Sequence, residues 1–399
     1  MGKIIKSLAG AGAVALTLAL AGNASYAGGH GRVTTPTLTG FASLPATTFV
    51  PGSEPSGSLV TGNTNGIPVP FADQPIQGFS GIADNGDGTF DVLSDNGYGN
   101  QANSADFLLR VQRLAPVFAT GAVDVVGGLN LTDPNGLVPW KLTRSDRVLT
   151  GADFDVESIV KAADGSYWIG DEFGPYLLHF DRAGRLLAAP TPLDGVIAPE
   201  TAARTGVTAT LGGSKGFEGL AASPDGRYLF PLLEGTVTGD PAGRLRFNEF
   251  DTRAGKYTGK RHAYQLESPA NAIGDAIALD RDRFLIIERD NGQGATAVFK
   301  KIYVADKRDR NRDGLMDKTL LVDLMNIANP RKVGGFGTPF TFPFQTIEDV
   351  VVLDEKTIAV LNDNNFPFSN GRTPGVADNN EWITIALPES LRPDKRILR

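Results

Sequence analysis

The chain alternates short apolar runs with polar turns. In "KGFEGLAASPDGRYLFPLLEG" (215–235) two apolar runs flank an Asp-Gly turn, which predicts a β-hairpin. Four more stretches share the layout: "FSGIADNGDGTFDVLSDNGYG" (79–99), "DVESIVKAADGSYWIGDEFGP" (155–175), "IGDAIALDRDRFLIIERDNGQG" (273–294) and "TIEDVVVLDEKTIAVLNDNNFPF" (346–368). Each predicts two neighbouring strands, opened by a polar or acidic residue and closed by a polar cluster. The opening positions are Ser80, Glu157, Glu218, Asp275 and Glu348. The closing positions are Asp95, Asp171 with Glu172, Glu234, Glu288 with Asp290, and Asp363 with Asn364. Fifteen residues separate Ser80 from Asp95, Glu157 from Glu172, Asp275 from Asp290 and Glu348 from Asp363; Glu218 and Glu234 are sixteen apart.

The five copies recur at intervals of 57–77 residues, a spacing that reads as propeller blades. Further strands are expected at 108–114, 176–187, 244–267, 300–307 and 381–387, and "TLTGFASLP" (37–45) is a candidate strand to close the ring against the last blade. The expected fold class is all-β: a β-propeller with five recognisable blade motifs, five- or six-bladed, with an acidic central channel. A β-sandwich explains the turns but not the repeated acidic ends. Residues 28–75, rich in Gly, Pro and Thr, read as a partly loose lead-in, and 76–399 as the propeller domain. "VDLMNIANP" (322–330) is a candidate for one short helical turn.

Composition narrows the setting. Residues 1–27 carry Lys3 and Lys6, then an apolar run, then "SYA", the layout of a cleaved signal peptide. The expected location is outside the cytoplasm, secreted or periplasmic, with no membrane attachment after cleavage. The 399 residues contain no Cys, so no disulfide contributes to stability there. The formal net charge is −7, or −9 without Lys3 and Lys6, because residues 1–27 hold no acid. An acidic surface argues against nucleic-acid partners and suits a protein that gathers divalent cations. A monomer acting on a small molecule is expected.

In a propeller the first strand of each blade lines the channel, so the opening and closing acids of all copies should meet at one mouth. Glu157, Glu172, Glu218, Glu234, Asp275, Asp290, Glu348 and Asp363 are expected there, with Asp95 from the first copy. So many carboxylates cannot all stay ionised without cations. Hard oxygen donors point to Ca²⁺, with Mg²⁺ or Mn²⁺ as alternatives. Acids beside turns are common; recurrence, and Glu where turns do not require it, favour a shared cation site. A second candidate is "DRNRDGLMD" (309–317), which sets Asp309, Asn311, Asp313 and Asp317 at EF-hand-like spacing, although Leu320 stands where the bidentate Glu belongs. Lys215 and Arg289 are the basic residues placed to hold an anionic oxygen. His30, His179 and His262 are scattered, and no nucleophile elbow or zinc-binding helix motif is present.

At these motifs the chain resembles the phytase-like family, described as esterase-like activity of phytase, over about residues 76–388. The motifs that carry the likeness include "KGFEGLAASPDGRYLFPLLEG" and "IEDVVVLDEKTIAVLNDNNFPFSNGR". The resemblance implies a propeller and hydrolysis of phosphoric or carboxylic esters. Carried over by position, it implies a site of Glu157, Asp171, Glu172, Lys215, Glu218, Asp275, Arg289, Asp290, Glu348, Asp363 and Asn364. The first copy departs, with Ser80 where the others have an acid. The leading expectation is a metal-dependent phosphoesterase using Glu218, Lys215, Asp171, Glu172 and Arg289, with Asp171 or Glu172 as base or ligand. A Ca²⁺-dependent esterase or lactonase on the same ring is the second, and a non-catalytic binding propeller the third.

Overall fold

The computed structural model describes residues 33–398, so the expected signal peptide lies outside the described residues. Strand β1 (Thr37–Leu44) comes first. Then follow β2 (Phe79–Asp84), β3 (Phe90–Ser94), β4 (Arg110–Val117) and β5 (Ala122–Asn130). Next are β6 (Val156–Lys161), β7 (Tyr167–Asp171), β8 (Tyr176–Phe180) and β9 (Thr191–Pro192). After helix α1 (Pro199–Thr205) come β10 (Phe217–Ala222), β11 (Tyr228–Leu233), β12 (Arg244–Asp251) and β13 (Lys256–Gln265). The chain continues through β14 (Ala272–Ala278), β15 (Arg283–Arg289), β16 (Lys300–Asp306) and β17 (Asp317–Asp323). It ends with β18 (Asp349–Asp354), β19 (Thr357–Leu361) and β20 (Asn380–Ala386).

β6–β9, β10–β13 and β14–β17 are three four-stranded meanders, and the remaining strands form one eight-stranded sheet ordered β18-β19-β20-β1-β5-β4-β3-β2. That sheet is two four-stranded halves joined at one parallel pair, Ser43 with Ala122. The strand expected over "TLTGFASLP" is β1, and it pairs antiparallel with β20. The N-terminal part of the domain is thereby tied into the last strands. The first strands of the sheets neighbour one another in a closed cycle: β2 with β6, β6 with β10, β10 with β14, β14 with β18, and β18 with β2. The architecture is all-β and propeller-like.

The second strand of each sheet shows why the ring holds. A strand presents alternate residues to opposite faces. In β15, Phe284 and Ile286 enter one apolar cluster while Leu285 and Ile287 enter the next. β11 does the same, with Phe230 and Leu232 on one side and Leu229 and Leu233 on the other. β19 splits Ile358 and Val360 from Ala359 and Leu361. A sheet covered on both faces needs continuous apolar runs, which these strands supply.

Two local expectations are corrected. Residues 45–78 are not loose: Phe71 packs with Tyr98, Phe107 and Phe366, and the Gln74 side chain exchanges hydrogen bonds of 2.6 and 2.8 Å with the Leu108 backbone. Asn65 donates to the Pro367 and Phe368 carbonyls, fastening this segment to the last loop. Residues 322–330 form the end of β17 and turns, whereas the α-helix falls at "PETAART". Its signals were legible: Pro199 in the first turn beside Glu200, and Gly206 at φ 72° past the end. Arg204 in its last turn lies 4.1 Å over the Trp140 ring.

Candidate functional site

Strand register decides which side chains meet. In the β6–β7 pair, Val156 opposes Asp171 and Ser158 opposes Gly170, leaving Glu157 bulged between them. In β10–β11, Phe217 opposes Leu233 and Gly219 opposes Leu232, leaving Glu218 bulged. A bulge turns its extra residue out of the ladder, and here both bulges carry a glutamate. In β14–β15, Ile273 opposes Glu288 and Asp275 opposes Ile287, so the bulged residue is Gly274. Asp275 therefore corresponds to Ser158 and Gly219, not to the glutamates. The residue closing each pair follows the same rule. Glu172 and Glu234 each stand one past the partner of the residue before the bulge, and the equivalent in β15 is Arg289, not Asp290.

The bulged and closing residues converge. One oxygen each from Asp155, Glu157 and Glu172 lie within 4.8 Å of one another, as do one each from Glu172, Glu218 and Glu234. Glu172 belongs to both groups, and all five are buried. Arg289 reaches in from the neighbouring sheet: its Nη2 lies 3.1 Å from Glu348 Oε1, 3.3 Å from Glu234 Oε1 and 3.8 Å from Glu218 Oε1. Lys215 Nζ ion-pairs with the other oxygen of Glu234. Glu218 and Glu234 thus have protein cations beside them. The Arg289 side chain is 6% exposed and that of Lys215 is 41%, so one is sunk and the other reaches solvent. Ser80 donates 3.1 Å to Glu348 Oε2, which gives the acid-free first copy a place in the same network.

Close backbone approach makes this possible. A Cβ on Gly216 would fall 2.4 Å from Glu172 Cα, and one on Gly274 would fall 1.9 Å from the Ile347 carbonyl oxygen. Only glycine lets these segments touch.

Burial dominates the electrostatics. Burial, then the Asp155, Glu218 and Glu348 charges, pushes the Glu157 carboxyl well above its usual range. Glu172 is raised by burial, Glu234 and Asp155, and Glu218 by burial, Glu348 and Glu234. Burial also raises Glu348, against the pull of Arg289. Burial lowers the Lys215 ammonium, but Glu234 and Glu172 more than offset this and its pKa is raised. Two oxygens of these residues, Glu172 Oε1 and Glu218 Oε1, are buried and accept no hydrogen bond.

The other expected site residues sit elsewhere or serve the backbone. Asp171 accepts from the Asp155 and Gly174 N–H groups at 2.9 and 2.8 Å, and burial pushes it up to about 8. Asp363 accepts from Asn365 N and Thr346 Oγ1; burial and Glu348 push it up to about 8. Asp95 accepts from Gly97 N, and burial, Asp363 and Asp155 raise it. Asn364 accepts from Gly78 N at 3.1 Å, linking the two halves of the eight-stranded sheet. Asp275 does not join the carboxylate groups: its oxygens accept from the Ala276 and Val350 N–H groups, bridging β14 to β18. Asp290 does not join either. It caps the loop through Gly292, Val298 and Phe299 N–H groups and pairs with Lys300 Nζ at 2.9 Å. Glu288 accepts from Tyr264, Asn271 and Lys318 on the outer side. In the 309–317 loop, Asp309 and Asp313 accept from the loop's own N–H groups, and Asp317 accepts from Arg310 N.

Three neighbours escaped the sequence reading. Asp155 lies two residues before Glu157, but its role needs Asn96 Nδ2 and Ser214 Oγ, which donate to its two oxygens at 2.7 and 3.0 Å. Asn96 directly follows the closing Asp95 of the first copy, and Ser214 comes from the loop just before the third.

A family model for phytase-like proteins, esterase-like activity of phytase, matches residues 74–366. An uncharacterized secreted protein of Arthroderma benhamiae (strain ATCC MYA-4681 / CBS 112371) is 26% identical over 227 residues. That match covers 46% of this chain and 42% of the relative, so it spans less than half of either. Among solved structures, a luciferin-regenerating enzyme is similar at a TM-score of 0.39 and 10% identity, covering 79% of this chain and 78% of that one. A GH43 β-1,3-galactosidase, BT0265, is similar at 0.43 and 10% identity, covering 78% and 57%. Likenesses at these scores do not bear on activity.

Proposed function

The chain belongs to the phytase-like family, esterase-like activity of phytase, and on that premise we propose a secreted, monomeric hydrolase of small phosphoric esters. In this reading the ring is a five-bladed propeller closed by β1, and its acidic channel mouth holds a divalent cation, Ca²⁺ in preference to Mg²⁺ or Mn²⁺. The family's description and the relative's description as secreted support it. Nucleic acid and membrane play no part.

The observation that carries the reading is the burial of Glu157, Glu172, Glu218, Glu234 and Glu348, with which, among the described residues, two basic side chains form ion pairs, Lys215 and Arg289. Five carboxylates against two cations leave an excess of negative charge that water cannot screen. The Oε1 atom of Glu172, buried without a hydrogen-bond partner in an all-oxygen donor set, fits a hard cation. Such a cation, when bound, supplies Lewis acidity and lowers the pKa of water. Lys215, at the open side, binds an anionic substrate oxygen, and Arg289 behind it fixes the glutamates. Glu218 is placed to take a proton from the attacking water, since its Oε1 has no hydrogen-bond partner. Asp171 positions Asp155 through the backbone and touches no substrate.

The test is hydrolysis of p-nitrophenyl phosphate, bis-p-nitrophenyl phosphate, phytate, p-nitrophenyl acetate and a γ-lactone, first with chelator and then with each cation restored. Cation-restored phosphate release that Glu218→Gln removes supports the reading; phosphate release indifferent to both sinks it. The excess negative charge at the mouth favours a second reading, a carboxylic-ester or lactone hydrolase, because a neutral ester is not repelled. Turnover of acetate or lactone alone selects it. Silence across the panel selects a binding propeller.

A further inference from the structure

The two carboxylate groups that share Glu172 are not equivalent. Lys215 and Arg289 neutralise the Glu234 side, where they pair with Glu234, Glu348 and Glu218. Among the described residues, no lysine or arginine forms an ion pair with Asp155, Glu157 or Glu172. These three are nevertheless buried, at 1%, 8% and 3% exposure, with one oxygen each within 4.8 Å of the others. Glu172, one of the three, keeps a buried oxygen, Oε1, with no hydrogen-bond partner.

The surroundings orient this trio as ligand sets are oriented. Metal-binding carboxylates are held by hydrogen bonds from behind. Asn96 Nδ2 and Ser214 Oγ each donate to one Asp155 oxygen, and Asp171 accepts from the Asp155 backbone N–H. Asn96 is itself fixed, its Oδ1 accepting from the Tyr98 and Gly99 N–H groups at 3.1 and 2.8 Å. Gly216 packs on the Glu172 backbone and limits its movement.

We propose that Asp155, Glu157 and Glu172 form the divalent-cation site, while the Glu218–Glu234–Glu348 side is discharged by Lys215 and Arg289 and takes no cation. The assignment rests on the hydrolase reading above and narrows it: cation and basic residues occupy opposite sides of Glu172, and the anionic part of a substrate lies between them. Three carboxylate ligands leave positions open to water or substrate oxygens around Ca²⁺ or Mg²⁺.

The experiment is calorimetric titration of Ca²⁺, and separately of Mg²⁺, into chelator-stripped full-length protein and three variants. One saturable site per chain is expected. Asp155→Asn and Glu157→Gln should each weaken it by at least about 10-fold, and Glu234→Gln, which removes a charge beside Glu172 but no proposed ligand, should change it by clearly less. If Asp155→Asn fails to fold, Glu157→Gln decides, because Asp155, not Glu157, is the residue that Asn96 and Ser214 tie to separate loops. The absence of saturable binding overturns the assignment. So does a Glu234→Gln loss as large as that of Glu157→Gln. The outcomes separate the two levels. Binding lost in Glu157→Gln from a protein that hydrolyses no ester keeps the site and removes the hydrolase reading. Cation-dependent hydrolysis with binding indifferent to Asp155→Asn and Glu157→Gln keeps the reading and removes the site.

Discussion

Arg289 stands in its sheet where Glu234 stands in the neighbouring one, and its Nη2 lies 3.3 Å from Glu234 Oε1. One repeat thus supplies the counter-charge for the next. Replacing Arg289 by Met leaves Glu218, Glu234 and Glu348 buried without it, and breaking such a pair costs about 3–5 kcal/mol. Urea unfolding at pH 7 in chelator should show the loss, and at pH 5, where Glu218 and Glu348, both raised by burial, hold protons more readily, the loss should shrink. An equal loss at both pH values would count against the pairing.

Stability of the chelated protein should fall as pH rises. Carboxyls raised in the folded state hold protons that the unfolded chain releases from about 3.8 upward, so the stability they contribute is present at low pH and lost as pH climbs through the folded values. Asp171 and Asp363, raised to about 8, and Asp275, raised to about 7, set the window, with Glu157, Glu172 and Glu218 adding to it. Asp91, lowered to about 2 by Arg113 and Lys161 against its burial, acts only below that window. Melting temperature measured from pH 5 to 8 should decline in chelator, and Ca²⁺ should flatten the decline. A rise over this range would contradict the buried-proton account.

Asp349 is fully buried, and neither carboxylate oxygen has a partner. Burial, then Asp275 and Glu348, raises its pKa well above the usual range. Replacing a buried unpaired polar group by an apolar one of the same shape is neutral or stabilising. Asp349→Leu should therefore raise the urea midpoint at pH 8, with a smaller gain at pH 5. A loss at pH 8 would show that the carboxyl has a role the fold does not reveal.

Gly274→Ala should destabilise by about 1–3 kcal/mol, because the added methyl meets a backbone oxygen that has no room to yield. Gly337→Ala is the control, since a Cβ there meets nothing within 4 Å. Thermal melts of the two variants side by side check it; equal melting temperatures would mean that β14 and β18 are less tightly opposed.

The sequence by itself determined the repeat. Apolar runs on either side of short turns specify strands through their two-residue period, and the recurring Glu157, Glu218 and Glu348 were visible as acids that turns do not require. Register was not visible. Counting from hairpin to hairpin aligned Asp275 with Glu218 and Asp290 with Glu172, whereas the pairing places a bulge at Gly274 and moves both by one residue. A shift of one residue turns a strand side chain to the opposite face, so Asp275 meets backbone N–H groups and Arg289 meets the glutamates. Asp155, Asn96 and Ser214 join only because separate loops close over one point. Tertiary structure alone decides such a meeting, since it depends on how the sheets stack and not on any local pattern in the chain.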